Sequence, residues 1–386
     1  MSKDQAEFFK ELKPWAGFKN FTLNYYLGPY LQKVKTLRRP ILLVDCCSGP
    51  GRFEDGNNGS PLIMANHLQR MQSLGVQCRG IFIEKNKKWY EQLKQNLQPY
   101  DGYCEPSLGD FKTYWNRIYD LTKTHTVFVY IDPFGIEDLL FSDLSKLLAA
   151  IQAGGSVELL VNWNCIGFLR WGLQCLKGEA ATTQVFSTID VQYAEDGHST
   201  ITSKETLDLI ANGNYWQSIL NGGDTVDLKR CESEMAAQYL SQFDDSLLKG
   251  NCPIVPRYGL IPKYHMMFVT GNYDGFELMN DTMAKARSKS LHDEFIRDLL
   301  FDMTPDEVRR DLDLLPARIH SLISDNPGQL FKPDIKRKLI GQLGMFAKYE
   351  DKVITQTLRK LRNDKAVSPN IGRAILGVRY QAVNNG

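Results

Sequence analysis

Hydrophobic positions along the chain fall into two textures. Through about residue 287, short unbroken apolar runs alternate with helix-spaced segments. Ile41–Val44 are apolar without alternation and run into Asp45, as expected for a parallel strand covered on both faces. Residues 78–84, 126–132 and 157–163 repeat that pattern, and 103–109 give a weaker strand. Residues 264–270 predict a last long strand, with 253–261 as its hairpin partner. Between the strands lie helical patterns. One covers 8–34, with a break expected at Gly28-Pro29. Another is opened by Ser60 as N-cap and Pro61, and carries Leu62, Ala65, Leu68 and Met71. Residues 89–97, 141–150 and 273–287 complete the set. The alternation predicts an α/β fold, a Rossmann-like doubly wound sheet with helices on both faces. Residues 164–253 break the rhythm and read as an insertion. From about 288 to 386 the texture is charged helices (305–323, 333–343, 349–363), then short strands at 366–370 and 374–380. That order predicts a winged-helix-like domain, and the two textures predict domains at 1–287 and 288–386.

The strand ends bring in the chemistry. Asp45, Glu84, Asp110 and Asp132 each close a predicted strand, and a parallel sheet sets such ends along one ligand-binding edge. After Asp45 come Cys47, Ser48, Gly49 and Gly51, a glycine turn through which backbone amides approach a ligand closely. Glu84 suits a ribose diol and Asp110 an adenine amine, so the distribution fits S-adenosylmethionine. A nicotinamide dinucleotide fits less well. It asks for G-x-G-x-x-G and an acid about 20 residues on, whereas Cys47 stands at the first glycine place and Glu84 lies 39 residues beyond Asp45. Asp132-Pro133-Phe134-Gly135 could hold a planar amine between the Asp132 carboxylate, the Pro133 carbonyl and the Phe134 ring. Asn162 and Asn164, after the fifth strand, are candidates for lining the substrate pocket, and Lys19 or an aromatic from residues 8–34 for a lid.

Composition changes the picture little. A chain of 386 residues suits two domains, and a net charge of +1 says nothing about nucleic acid. Residues 331–386 do carry 12 Lys+Arg against 4 Asp+Glu. On the third helix there, Ile354, Leu358 and Leu361 share one face, while Lys352, Gln356 and Arg359 share the other and could enter a groove of nucleic acid. Eight cysteines without a Cys-x-x-Cys pair suit a reducing cytoplasm. Six histidines without ligand spacing predict no metal site, and neither a signal peptide nor a membrane span is legible.

Val44-Asp-Cys-Cys-Ser-Gly-Pro-Gly51, Gly59-Ser-Pro61, Tyr130-Ile-Asp-Pro-Phe-Gly135 and Gly275-Phe-Glu-Leu-Met279 together resemble the bacterial three-Cys-motif partner proteins, over roughly residues 10–290. That family is class I S-adenosylmethionine-dependent methyltransferase-like. The resemblance implies the cofactor S-adenosylmethionine and, as a partner, a three-cysteine radical-type protein. Asp132-Pro-Phe-Gly135 is also similar to the motif of tRNA guanine N2-dimethyltransferases, and more loosely to the Asp-Pro-Pro-Tyr motif of DNA amino-methyltransferases. Two readings follow. One is an enzyme methylating an exocyclic base amine in DNA or RNA. The other is a methyltransferase-fold subunit that acts by binding, in a bacterial modification or phage-defence system.

Overall fold

In the computed structural model, residues 9–187, 203–221, 226–255, 261–297, 306–370 and 379–382 are described. They form two compact units, dividing between Asn272 and Tyr273.

The first unit is a seven-stranded sheet flanked by helices. In chain order it runs α1 (Pro14–Val34), β1 (Ile41–Asp45), α2 (Ser60–Ser73), β2 (Cys78–Glu84), α3 (Lys87–Leu97), β3 (Cys104–Leu108), α4 (Trp115–Thr122), β4 (Thr126–Ile131), α5 (Ser145–Gln152) and β5 (Val157–Trp163). Then come α6 (Cys165–Phe186), α7 (Lys204–Ala211), α8 (Tyr215–Asn221), α9 (Leu228–Ser241), β6 (Leu248–Ile254) and β7 (Tyr264–Thr270). The strand order is β3-β2-β1-β4-β5-β7-β6. β1 to β5 pair in parallel, and β7 is antiparallel to both β5 and β6. This is the Rossmann-like methyltransferase fold. Every residue of β1, β4, β5 and β7 is buried, as unbroken apolar runs require when helices cover both faces. The edge strand β6 alternates instead.

Three local readings change. α1 continues through Gly28-Pro29, because Tyr26, Leu27, Tyr30 and Leu31 are buried beside the missing amide and packing outweighs its loss. α2 starts at Ser60, so Gly59 takes the cap position. The hairpin partner of β7 is Leu248–Ile254, not 253–261, because its hydrogen-bonded register places Leu248 opposite Thr270 and Ile254 opposite Tyr264. Residues 256–260 lie outside the described residues. Among the described residues, 164–253 hold four helices followed by most of a sheet strand. α6 is kinked at Gly178, where φ is 82°.

The second unit holds α10 (Tyr273–Arg297), α11 (Asp306–Asp325), β8 (Leu330–Phe331), α12 (Lys332–Arg337), a π-turn at Lys338–Gln342, α13 (Asp351–Asn363), β9 (Val367–Asn370) and β10 (Arg379–Ala382). β8, β10 and β9 form an antiparallel sheet in that order. Leu315, Ile319, Ile323, Ile335, Leu339, Ile354 and Leu358 make its core. α10 belongs here rather than with residues 1–287. Its Asn280 accepts from Ala347 N–H at 2.8 Å and donates to Tyr349 O at 3.0 Å, and Asp281 pairs with Lys336 at 3.0 Å. Residues 371–378, part of the expected last strand, lie outside the described residues.

Candidate active site

A cavity of about 350 Å³ opens at the carboxyl ends of β1, β2 and β4. Its wall begins with the loop after β1. Gly49 and Gly51 adopt φ of 58° and 83°, which glycine reaches without a Cβ clash. A Cβ on Gly49 would also come within 2.8 Å of the Phe9 ring. The loop is strapped from several sides. Ser48 N–H donates to Ile83 O at 2.9 Å, Gly59 N–H to Gly51 O at 2.9 Å, and Asn96 Nδ2 to Pro50 O at 2.8 Å.

Glu84 lines the cavity and fixes the loop at once. Its Oε2 accepts from Gly49 N–H at 2.8 Å and its Oε1 from Asn86 N–H at 2.6 Å. Burial raises its pKa, opposed by those two amides. Each carboxylate oxygen has a second lone pair, so a diol in the cavity remains within its capacity. Cys47, Ser48, Gly49, Gly51 and Asp110 also stand on the wall. Asp110 is exposed and accepts from Lys112 N–H at 2.9 Å, starting the 3-10 turn Phe111–Tyr114.

Asp45 is placed differently from expectation. It is 0% exposed, stands off the cavity wall, and accepts from Cys47 N–H at 3.3 Å. Its Oδ2 is buried without a hydrogen-bond partner. Burial pushes the carboxyl up to about 7, against the lowering effect of the Ser60 hydroxyl and the Cys47 amide. It braces the loop through the Cys47 amide rather than from the cavity wall.

At the other end, Pro133 and Phe134 line the cavity, and Asp132 sits in a full set of donors. Lys19 Nζ reaches Oδ1 at 2.9 Å and Oδ2 at 2.6 Å. Asn162 Nδ2 adds 2.7 Å to Oδ1, and Tyr130 OH adds 3.1 Å to Oδ2. Four bonds match the four lone-pair sites of a carboxylate. An amine therefore cannot simply add to Asp132 and must displace a donor. Lys19 is no loose lid: it is 5% exposed and also lies 4.9 Å from the centroid of the Tyr264 ring. Lys263 shares this end, over Trp15 at 4.5 Å. Gly135 is off the wall, and a Cβ there would meet the Glu137 carboxylate at 2.9 Å.

Neither Asn162, near the end of β5, nor Asn164 just after it lines the cavity. Asn162 holds Asp132, and Asn164 caps α6 by accepting from Gly167 N–H at 2.9 Å. Both are buried, because strand β5 and the helix after it are covered. Phe9, Lys85, Asp138, Lys263 and Tyr264 line the cavity without having been singled out. Lys85 had a legible signal, directly after the strand-end Glu84, and it bonds to Asp138 just past Asp132-Pro-Phe-Gly135. Phe9, Lys263 and Tyr264 carry no local signal. In the second unit, Lys352, Gln356 and Arg359 are exposed on α13, opposite the buried Ile354, Leu358 and Leu361.

No protein-family profile and no curated protein matches the chain. Among solved structures it is similar to protein LPL1258 from Legionella pneumophila, at 11% identity and a TM-score of 0.39, covering 74% of this chain and 93% of that one. A tRNA methyltransferase, TrmK, from B. subtilis gives 10% identity and a TM-score of 0.25, over 84% and 97% of the two chains. A SAM-dependent methyltransferase from Anabaena variabilis gives 11% and 0.26, over 67% and 94%. With these scores below 0.5, the assignment to the methyltransferase fold rests on strand order and direction.

Proposed function

We propose that this chain is an S-adenosylmethionine-dependent methyltransferase acting on an exocyclic amine of a nucleic-acid base. The observation that carries this reading is one cavity walled at one end by the Glu84-braced glycine loop and at the other by Pro133, Phe134 and the Asp132 network. Glu84 would hold the ribose and Asp110 the adenine, and the Gly51 amide would meet the amino-acid moiety, since Ser48 and Gly49 N–H are donated to Ile83 O and Glu84 and Pro50 has none. Once bound, the cofactor supplies an electrophilic methyl group. The protein's task is then alignment, which is worth on the order of 7–11 kcal/mol at best.

Because Asp132 is saturated, the Pro133 carbonyl is left as acceptor for the amine, with Phe134 as stacking surface. Lys19 spends two of its three N–H donors on Asp132. The third suits a ring nitrogen beside an exocyclic amine, as adenine and cytosine present. The second unit, read as winged-helix-like, would offer Lys352, Gln356 and Arg359 to the nucleic acid. The eight cysteines are free thiols, in keeping with a cytoplasmic setting. Among the described residues no helix is long and apolar enough to cross a membrane.

Calorimetric titration with S-adenosylmethionine and S-adenosylhomocysteine tests the cofactor, and tritiated-methyl incorporation into bulk DNA and RNA tests the acceptor. Absence of both heat and thermal shift at millimolar ligand would end the methyltransferase reading. The filled Asp132 carboxylate favours a second reading, in which acceptor entry needs a partner such as a three-cysteine radical-type protein. Cofactor binding without methyl transfer until such a partner is added would select it.

A further inference from the structure

Away from the cavity, three side chains of different chemistry converge in the buried layer where α6 and α9 meet the sheet. Cys165 opens α6, Glu232 lies in α9, and His265 lies in β7 opposite Trp163 of β5. They are 0%, 4% and 3% exposed, and their sulfur, oxygen and nitrogen ligand atoms all lie within 4.8 Å of one another. We infer that Cys165, Glu232 and His265 form a buried zinc site that fastens α6 and α9 to β7.

The hydrogen bonding around His265 carries the argument. Its Nδ1 lies 2.9 Å from Asn251 Oδ1; with that oxygen as acceptor, the ring proton sits on Nδ1. Nε2 then directs a lone pair at Glu232 Oε1, its close neighbour. In that tautomer the two lone pairs meet in a dry layer, and a shared cation would relieve them: a proton at the present spacing, or a zinc once the two atoms part. A proton would satisfy the histidine and the carboxylate alone. It would leave unexplained why the Cys165 sulfur, in weak contact with the Glu232 backbone carbonyl at 3.8 Å, converges on the same point. A divalent metal uses all three groups. A histidine whose second nitrogen is held by a carbonyl is the usual ligand arrangement, and mixed S, N and O donors suit zinc better than magnesium or calcium.

Two further buried polar atoms without partners sit on rings beside the cluster. They are Trp163 Nε1 and Tyr239 OH, on rings stacked at 4.4 Å, with the Trp163 ring 6.3 Å from His265. A water completing a tetrahedral zinc would give this layer a polar partner. The ligands are scattered over 100 residues, from Cys165 to His265. Spacing rules therefore predicted no metal here.

The test uses the full chain, purified without a polyhistidine tag and dialysed against zinc, with metal counted by plasma mass spectrometry. One zinc per chain is expected. Cobalt substitution should give a thiolate-to-metal charge-transfer band, absent in Cys165→Ser. Asn251→Ala leaves all three ligands in place and should weaken zinc binding about 10–100-fold in a chelator competition. Substoichiometric zinc together with no cobalt band would overturn the site and leave a proton-bridged His265–Glu232 pair. A cobalt band that persists in Cys165→Ser would equally overturn it, since the thiolate would not be a ligand. Circular dichroism of Cys165→Ser separates lost metal from lost fold.

Discussion

At the scale of single residues, each carboxylate of the sheet edge has its own task. Glu84 both receives the loop amides and faces the cavity, so Glu84→Ala should weaken S-adenosylhomocysteine binding by about 1.5–3 kcal/mol, the range for hydrogen bonds to a charged group. Calorimetry measures it, and unchanged affinity would remove Glu84 from the cofactor pocket. Asp132 neutralises Lys19, whose side chain is 6% exposed against 21% for Asp132. Asp132→Asn should abolish methyl transfer, keep cofactor affinity nearly intact and cost up to about 3 kcal/mol, since an uncompensated buried charge remains. Adding Lys19→Met should return part of that stability but not the activity. Urea denaturation compares the two variants, and a double variant no more stable than Asp132→Asn would show that the ion pair does not organise this network. Asp45 bears on pH. Its free-chain carboxyl titrates near 4, while burial raises the folded value to about 7. Between these values the folded state keeps a proton that the unfolded state has released, so stability falls as pH rises through the window and levels off above it. Denaturation of Asp45→Asn from about pH 4 to 8 should show a shallower fall. An unchanged slope would leave the buried Glu158, also raised to about 7, as the source.

At the scale of elements, the loop after β1 is the most constrained piece of the first unit. Gly49 combines φ of 58° with a ring 2.8 Å from where a Cβ would lie. Gly49→Ala should therefore cost at least about 1 kcal/mol in stability, from left-handed backbone strain. It should also shift Phe9 and Gly49 N–H away from Glu84. The expected readout is a lowered melting midpoint together with weaker cofactor binding, and loss of only one would uncouple the loop from the site. α1 makes the complementary point. Its helical pattern was readable, but not its run through Pro29 or the delivery of Lys19 to Asp132, 113 positions along the chain. Helix spacing fixes which side chains share a face, and packing decides what that face meets. Strands were the more legible elements, because burial on both faces leaves an unbroken apolar run.

At the scale of the whole molecule, the chain divides into a cavity-bearing unit and a second unit with a basic, exposed helix face. If that face holds nucleic acid, log affinity of the full chain should fall linearly with log salt. Charge reversal at Lys352 and Arg359 should weaken binding to all sequences and lower the slope by about 1 or more. Fluorescence anisotropy with DNA and RNA duplexes measures it. An unaltered slope would move the contact elsewhere, and no binding at low salt would redirect the second unit toward a protein partner. The boundary between the units was read near residue 287 from a change of texture. Asn280 and Asp281 bond to residues 336–349 and 351, which takes α10 into the second unit.

The sequence by itself determined the positions of β1 to β5 and β7, the glycine turn and the row of strand-end acids, because each depends on neighbours within a few residues. It also placed Glu84 and the Pro133-Phe134 pair at one sheet edge, since parallel strands share their carboxyl ends. Only the tertiary structure decided which acids face the cavity. Asp45 turned inward beneath its loop, and Asp132 was filled by Lys19, Asn162 and Tyr130 from three separate elements. The cluster of Cys165, Glu232 and His265 arose the same way. Contacts between residues far apart in the chain depend on how helices lie on the sheet, and no local pattern of polar and apolar positions encodes that.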